Sequence, residues 1–236
     1  MTEYIVEAIL PAKEVHLFGG PSGAGKTRWL LHTLLEWEQG MDVLGFRSNP
    51  VPWVYIAADR SVASVQRTLL GMGIQPGLIL AVDAWDKQMG INEIMDRIVG
   101  SQAKLIVWES FGSFVEEPVN GRTVKSFLNR MSRFCRGQEV TIIGVVESPK
   151  MKPYEKYENP RQRISGAAAW GHFSETIMLV EPDDLTKDNP DRTLYVCPRN
   201  SPTLKIALAF DLQGRLLPIQ QDDAREVVQV AKKPRK

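Results

Sequence analysis

Apolar residues along this chain recur in two alternating patterns. Short β-rich runs cover residues 15–18, 54–57, 79–82, 105–108 and 140–146. Four longer stretches have helical spacing. The first begins at Thr27 and ends at Gly40, and the others cover residues 62–70, 91–99 and 123–135. Strands alternating with helices predict a mostly parallel central sheet flanked by helices. Ligands of such sheets bind at the carboxyl ends of the strands, so each polar residue that ends a strand becomes a site candidate.

The pattern changes after Glu147. Residues 150–166 are polar and punctuated by proline and glycine, and three strand-like runs follow at 176–180, 193–197 and 205–210. These runs predict a C-terminal β-meander that extends the sheet. We therefore expect one α/β domain over residues 1–219 and a flexible polar tail over residues 220–236, which ends in a basic cluster.

The most specific motif follows the first of these strands. It consists of Gly20, Pro21, Ser22, Gly23, Ala24, Gly25, Lys26 and Thr27, the P-loop pattern G-x-x-x-x-G-K-[ST]. Successive backbone amides of such a loop face phosphates, the lysine neutralises the β- and γ-oxygens, and the next helix points its positive end at them. The Thr27 hydroxyl can hold Mg²⁺. The motif lies between a strand and a helix, so the sequence predicts binding of ATP with Mg²⁺.

Two further strands end in a carboxylate. Hydrolysis needs one carboxylate near Mg²⁺ and one that orients the attacking water. Glu109 ends the strand 105–108, where a Walker B strand usually carries aspartate, and we expect it to reach Mg²⁺ through water or to act as a base. Asp59 follows the strand 54–57 and is the candidate for polarising water. The alternative for each is a turn or helix-capping carboxylate with no catalytic role.

The order of these motifs resembles the RecA-like ATPase core, shared by RecA, replicative DnaB-type helicases, KaiC-like proteins and the hexameric plasmid helicase RepA, to which length and layout are most similar. The resemblance covers residues 14–217. In this family the catalytic carboxylate follows the second core strand, as Asp59 does, and a polar sensor ends the strand after Walker B. Residues 163–170 resemble the family's Arg-Gly or Ser-Gly segment.

Three residues depart from the family pattern. Glu109 replaces aspartate, Asp59 replaces glutamate, and Glu147 stands where histidine or glutamine senses the γ-phosphate. A carboxylate beside a γ-phosphate is repulsive unless it is protonated or turned away. We therefore expect Glu147 to pair with a base such as Lys150.

The resemblance also implies a role for Arg199. Residues 196–201 resemble the family's Lys-Asn-Arg stretch, whose basic residues reach the nucleotide of the neighbouring subunit. Arg199 would then be a catalytic finger in a homo-oligomeric, hexameric ring. The alternative is an ordinary solvated arginine in a turn.

Basic and aromatic residues are interleaved in the polar segment. They include Lys150, Lys152, Tyr154, Lys156, Arg161 and Arg163. Cations contact phosphates and rings stack on bases, so this composition suits a single-stranded nucleic acid, which we expect to be DNA. The resemblance implies that such loops line the central channel of the ring. The alternative is a solvated charged loop that becomes ordered on oligomerisation.

Composition limits the number of domains and the kinds of ligand and environment that the chain can have. With 236 residues, 43% apolar and 24% charged, the chain fits one globular domain, and its net charge of +1 requires any polyanion to bind at a local patch. Cys135 and Cys197 are too few for a disulfide framework and lack metal-ligand spacing. We find no membrane span or targeting segment and expect a cytoplasmic protein.

These observations favour a nucleic-acid-dependent ATPase, a ring-forming DNA helicase or translocase of phage or plasmid-type replication. A second hypothesis is an ATP-gated mediator of single-strand annealing or recombination, which binds DNA and unwinds nothing. A third is a small-molecule kinase, because P-loops also serve phosphoryl transfer. In a kinase the segment 150–163 would form a lid, but the meander after it fits less well.

Overall fold

The computed structural model describes residues 3–72, 81–83, 88–148, 160–164, 168–182, 191–212, 214–219 and 225–228. Within these ranges the chain forms a small hairpin of β1 (Tyr4–Val6) and β2 (Leu10–Pro11), followed by one large ten-stranded sheet. The hairpin is not among the strands predicted from the sequence.

The central part of the large sheet is parallel. Its strands are β3 (Val15–Gly19), β4 (Trp53–Ala57), β5 (Ala81–Asp83), β6 (Leu105–Trp108), β7 (Thr141–Val145) and β8 (Thr176–Pro182). They lie in the order β5-β4-β6-β7-β3-β8. Each of β3, β4, β6 and β7 is wholly buried and mostly apolar, as expected for parallel strands covered on both faces.

Five helices cover the two faces of this sheet within the described ranges. They are α1 (Lys26–Glu38), α2 (Val62–Gly71), α3 (Ile91–Ser101), α4 (Gly121–Gln138) and α5 (Ala169–Phe173). Alternate residues of a strand face opposite sides, so Tyr55 of β4 packs in the core with α1 and α2, and Ile56 packs in the core with α3 and α4. The structure confirms the predicted α/β fold with a mostly parallel sheet.

The predicted β-meander is also present. After β8 come β9 (Asp191–Pro198), β10 (Thr203–Phe210), β11 (Leu216–Pro218) and β12 (Arg225–Val228), and every pairing from β8 outward is antiparallel. The strand β12 lies in the segment for which we expected a flexible tail. It pairs with residues 203–206 of β10, which β11 leaves uncovered, and so satisfies backbone groups at that edge.

Among the described residues, no helix is both long and apolar enough to cross a membrane. Both cysteines are buried and free.

Candidate nucleotide-binding site

Four neighbouring strands deliver polar groups to one edge of the sheet. The P-loop follows β3, Asp59 lies two residues after β4, Glu109 follows β6, and Glu147 lies two residues after β7. These strands are parallel, so their carboxyl ends meet at one edge, as the alternation of elements predicts. The groups line a single cleft of about 970 Å³.

Two glycines allow the P-loop to approach its neighbours closely. A Cβ atom at Gly20 would lie 2.5 Å from the carbonyl oxygen of Val180, and one at Gly25 would lie 2.6 Å from the Phe210 ring. Gly25 also has φ of 95°, a left-handed conformation that side chains rarely adopt. It precedes α1 without a capping side chain, so the first amides of that helix remain available to phosphate oxygens.

The Lys26 amine lies within the loop. Its Nζ donates to the carbonyl oxygens of Gly20 at 2.7 Å and Pro21 at 3.1 Å. Burial lowers the pKa of Lys26, while the charges of Glu147 and Asp59 act in the opposite direction. The lysine is therefore placed to exchange these carbonyl contacts for phosphate oxygens.

Thr27 and Glu109 form the candidate Mg²⁺ site. Thr27 Oγ1 donates to Glu109 Oε1 at 2.9 Å. Glu109 Oε2 is buried and has no hydrogen-bond partner of ordinary geometry among the described residues, and the same is true of the nearby Tyr55 hydroxyl. Mg²⁺ prefers hard oxygen ligands and retains several waters. The unsatisfied Oε2 beside the Thr27 hydroxyl therefore fits a Mg²⁺ ion or one of its waters.

Asp59 and Glu109 shift each other's pKa values. Burial, together with the hydrogen bond and charge of Asp59, raises the pKa of Glu109 to about 7. Burial also acts to raise the pKa of Asp59, but the hydrogen bond with Glu109 and the charge of Arg60 outweigh it and lower the pKa. Of the two carboxyl groups, Glu109 is therefore the one that binds a proton more readily. Asp59 remains ionised, which suits a group that orients water.

Arg60 belongs to the site, although the sequence pattern gives no reason to select it. Its Nη2 lies 3.1 Å from Thr27 Oγ1 and 3.2 Å from Glu109 Oε1, and its Nε lies 3.3 Å from Asp59 Oδ1. The available signal is its position directly after Asp59 at the end of a strand. That position does not reveal that the side chain turns back over the P-loop helix.

Glu147 is exposed within the cleft. Among the charged groups that raise the pKa of Lys26, it has the largest effect. It lines the same cleft as the P-loop lysine. Its expected partner, Lys150, lies outside the described residues.

The predicted nucleic-acid residues fall into two groups. Lys150, Lys152, Tyr154 and Lys156 lie outside the described residues. Arg161 is partly buried and donates to three backbone carbonyl oxygens, those of Gly171, Ser174 and Cys197. Arg163 is buried and forms an ion pair with Glu181. Both guanidinium groups hold the fold together, so their positions give no support to the expected contact with nucleic acid.

Arg199 lies at the opposite edge of the sheet from the P-loop, because β9 runs antiparallel to β8. Its backbone amide donates to Glu175, whose own amide donates to Val15 at the start of β3. The length of β3, about 15 Å, therefore separates Arg199 from the P-loop. The side chain donates to the carbonyl oxygen of His172, lies 3.5 Å from the Glu175 carboxylate, and is 44% exposed. It cannot serve the nucleotide of its own chain.

Comparisons with known proteins agree with this geometry. The sequence profile of a family described as an AAA domain matches residues 2–152. The comparison with curated proteins gives no match. Among solved structures, a KaiC-like protein from the hyperthermophilic archaeon Pyrococcus horikoshii is similar, with 15% identity, a TM-score of 0.63, and coverage of 92% of this chain and 94% of that one. At that identity the likeness shows the fold alone. Because the profile spans more than half of its length, the chain belongs to the AAA domain family, and it has the fold of a RecA-like P-loop ATPase.

Proposed function

We propose that this protein hydrolyses ATP with Mg²⁺ and couples hydrolysis to movement on single-stranded DNA, as a helicase or translocase. The proposal of ATP hydrolysis is supported by one observation. Lys26, Thr27, Asp59 and Glu109 converge in one cleft. A P-loop alone binds phosphate, whereas a P-loop facing two carboxylates also has the groups that hydrolysis needs.

Each residue has a distinct task in this proposal. Lys26 and the first amides of α1 hold the β- and γ-phosphates. Thr27 and Glu109 would hold Mg²⁺, which supplies charge neutralisation at the transferred phosphoryl group. Asp59 accepts a hydrogen bond from the attacking water and aligns it with the γ-phosphate. Because Asp59 is ionised, it can accept that hydrogen bond at neutral pH without first losing a proton.

The polymer is proposed from composition and resemblance. Residues 150–156 combine three lysines with Tyr154, and they follow the strand β7 that ends in this cleft. Cations and a stacking ring suit single-stranded DNA. A segment joined directly to Glu147 could also transmit the state of the nucleotide to the polymer.

Assembly into a hexameric ring is proposed from the resemblance of residues 196–201 to the RecA-like family's stretch that reaches the neighbouring subunit's nucleotide. Arg199, a partly exposed cation, lies too far from its own P-loop to act there. In a ring it would stabilise transition-state charge at a neighbouring site. Arg199→Ala should then lower turnover without weakening nucleotide binding by the isolated subunit.

Mixing variant subunits tests whether Arg199 acts on the nucleotide of a neighbouring subunit. A Lys26→Ala subunit that retains Arg199 should rescue part of the activity lost in Arg199→Ala, because finger and P-loop then come from different chains. Turnover per chain should also rise with protein concentration. Turnover by a strict monomer, or mixtures that co-assemble without rescue, would exclude the ring mechanism.

The function as a whole is tested by measuring ATP turnover with and without single-stranded DNA. We expect DNA to stimulate turnover by the wild type and no turnover by Lys26→Ala. An unwinding assay on a forked DNA duplex then distinguishes a helicase from an annealing mediator. Only a helicase releases the displaced strand, whereas a mediator would anneal complementary strands. Turnover that DNA leaves unchanged would reject the DNA-dependent motor.

A further inference from the structure

The guanidinium group of Arg60 contacts all three side chains that the proposed chemistry uses for metal and water. The contacts are 3.1 Å to Thr27 Oγ1, 3.2 Å to Glu109 Oε1 and 3.3 Å to Asp59 Oδ1. Arg60 follows Asp59 in the segment between β4 and α2, and its side chain turns into the cleft. A permanent cation thus lies against the oxygens proposed for a divalent cation.

Arg60 and Mg²⁺ cannot occupy this position together. Mg²⁺ holds its oxygen ligands at about 2.0–2.1 Å in octahedral geometry. The guanidinium nitrogens contact the same Thr27 and Glu109 oxygens directly, and two cations sharing these ligands would repel each other. Binding of Mg²⁺ therefore requires the Arg60 side chain to leave Thr27 and Glu109.

The Arg60 side chain has space to move within the cleft. It is 32% exposed, and the cleft that it lines is also lined by Gly23 and Lys26 of the P-loop. The γ-phosphate of a bound ATP would lie against those P-loop residues. Guanidinium is always protonated and matches phosphate oxygens in a planar fork, so the γ-phosphate is the natural acceptor for the displaced group.

We propose that Arg60 is an exchangeable cation, which occupies the Mg²⁺ ligands in the nucleotide-free protein and moves onto the γ-phosphate when Mg²⁺ and ATP bind. This inference rests on the proposed ATPase function. It gives the γ-phosphate a cation from the same chain, in addition to the one that Arg199 would supply from a neighbour. If Arg60 stayed on the two carboxylates when nucleotide binds, it would not distinguish ATP from ADP.

The exchange with Mg²⁺ is tested by titrating Mg²⁺ into protein with a fluorescent ADP analogue, which has no γ-phosphate for Arg60 to contact. In Arg60→Gln the half-saturating Mg²⁺ concentration should fall about tenfold or more, because a cation in direct contact with the ligands has been removed. Arg60→Lys keeps the charge and should lie between Arg60→Gln and the wild type. Arg67→Gln, on the exposed side of α2, is the matched control and should match the wild type. An unchanged or higher half-saturating concentration in Arg60→Gln would overturn the exchange.

The contact with the γ-phosphate is tested by comparing the affinities of the same variants for this ADP analogue and for the matching non-hydrolysable ATP analogue at saturating Mg²⁺. Arg60→Gln should lose about tenfold of the preference for triphosphate, since a charge-assisted contact to the γ-phosphate is missing, and should keep its affinity for ADP. A full triphosphate preference in Arg60→Gln would overturn the γ-phosphate contact. Both measurements are binding equilibria, so a failure of ATP hydrolysis or of DNA stimulation would reject the proposed function without changing these outcomes.

Discussion

Replacing Glu109 with glutamine is expected to stabilise the nucleotide-free protein at pH 8 and to leave it nearly unchanged near pH 4.5. The pKa of Glu109 is about 7 in the folded chain, against an ordinary value of 4.5, because the carboxyl group is buried beside Asp59. The folded state then binds more protons than the unfolded state, so the free energy of unfolding falls as the pH rises from 4.5 through 7. At about 1.4 kcal/mol per pH unit, this interval corresponds to roughly 3 kcal/mol. Glutamine keeps the shape of the side chain and carries no charge at any pH.

The assay is urea denaturation of both proteins between pH 4.5 and pH 8, with EDTA and without nucleotide. Titrating groups that do not interact with Glu109 cancel in the difference between the two proteins. Asp59→Asn serves as a comparison, because its effect on stability at neutral pH should have the opposite sign. The lowered pKa of Asp59 means that its ionised form contributes stability above its ordinary pKa, so its removal should destabilise the protein at neutral pH. A difference between Glu109→Gln and the wild type that stays constant with pH, or a loss of stability at pH 8, would refute the reasoning.

Three further substitutions test the site and its support. Lys26→Ala should abolish nucleotide binding or turnover with an unchanged circular dichroism spectrum, because Lys26 contacts the loop and not the core. Asp59→Asn should lower turnover by about a hundredfold or more while nucleotide affinity measured by titration is largely kept; an unaffected rate would remove Asp59 from catalysis. Arg161→Ala should lower the free energy of unfolding by about 2–4 kcal/mol, since three backbone carbonyl oxygens lose their donor. A change below 0.5 kcal/mol, which is about the effect of an ordinary surface substitution, would instead mark Arg161 as available for ligands.

The cleft was within reach of sequence reasoning because it depends on local rules. A P-loop needs a strand before it and a helix after it, and a parallel sheet brings the residues that end its strands to one edge. Asp59 and Glu109 follow apolar strands and could be placed on that edge without knowledge of the strand order. Their opposite pKa shifts depend on the distance between two carboxyl groups 50 residues apart in the chain, which no local pattern contains.

The sequence could not predict where the arginine side chains point. Arg161 and Arg163 look like solvated basic residues, yet the acceptor of Arg161 on Cys197 is 36 residues away and Arg163 pairs with Glu181. Arg60 is a similar case, since only the fold brings it to Thr27. Composition counts cations but does not say which of them find buried partners.

At one side of the large sheet, the long strand β10 is covered along most of its length by β11 and β12, with three and four described residues. Long, flat edge strands invite a second copy of a protein to add its own strand. Short ones offer few unpaired backbone groups, so this edge does not favour joining two copies into one continuous sheet. A ring of this protein would instead be held by side chains on helices and loops, contacts that can loosen and re-form in each nucleotide cycle while every backbone ladder stays intact.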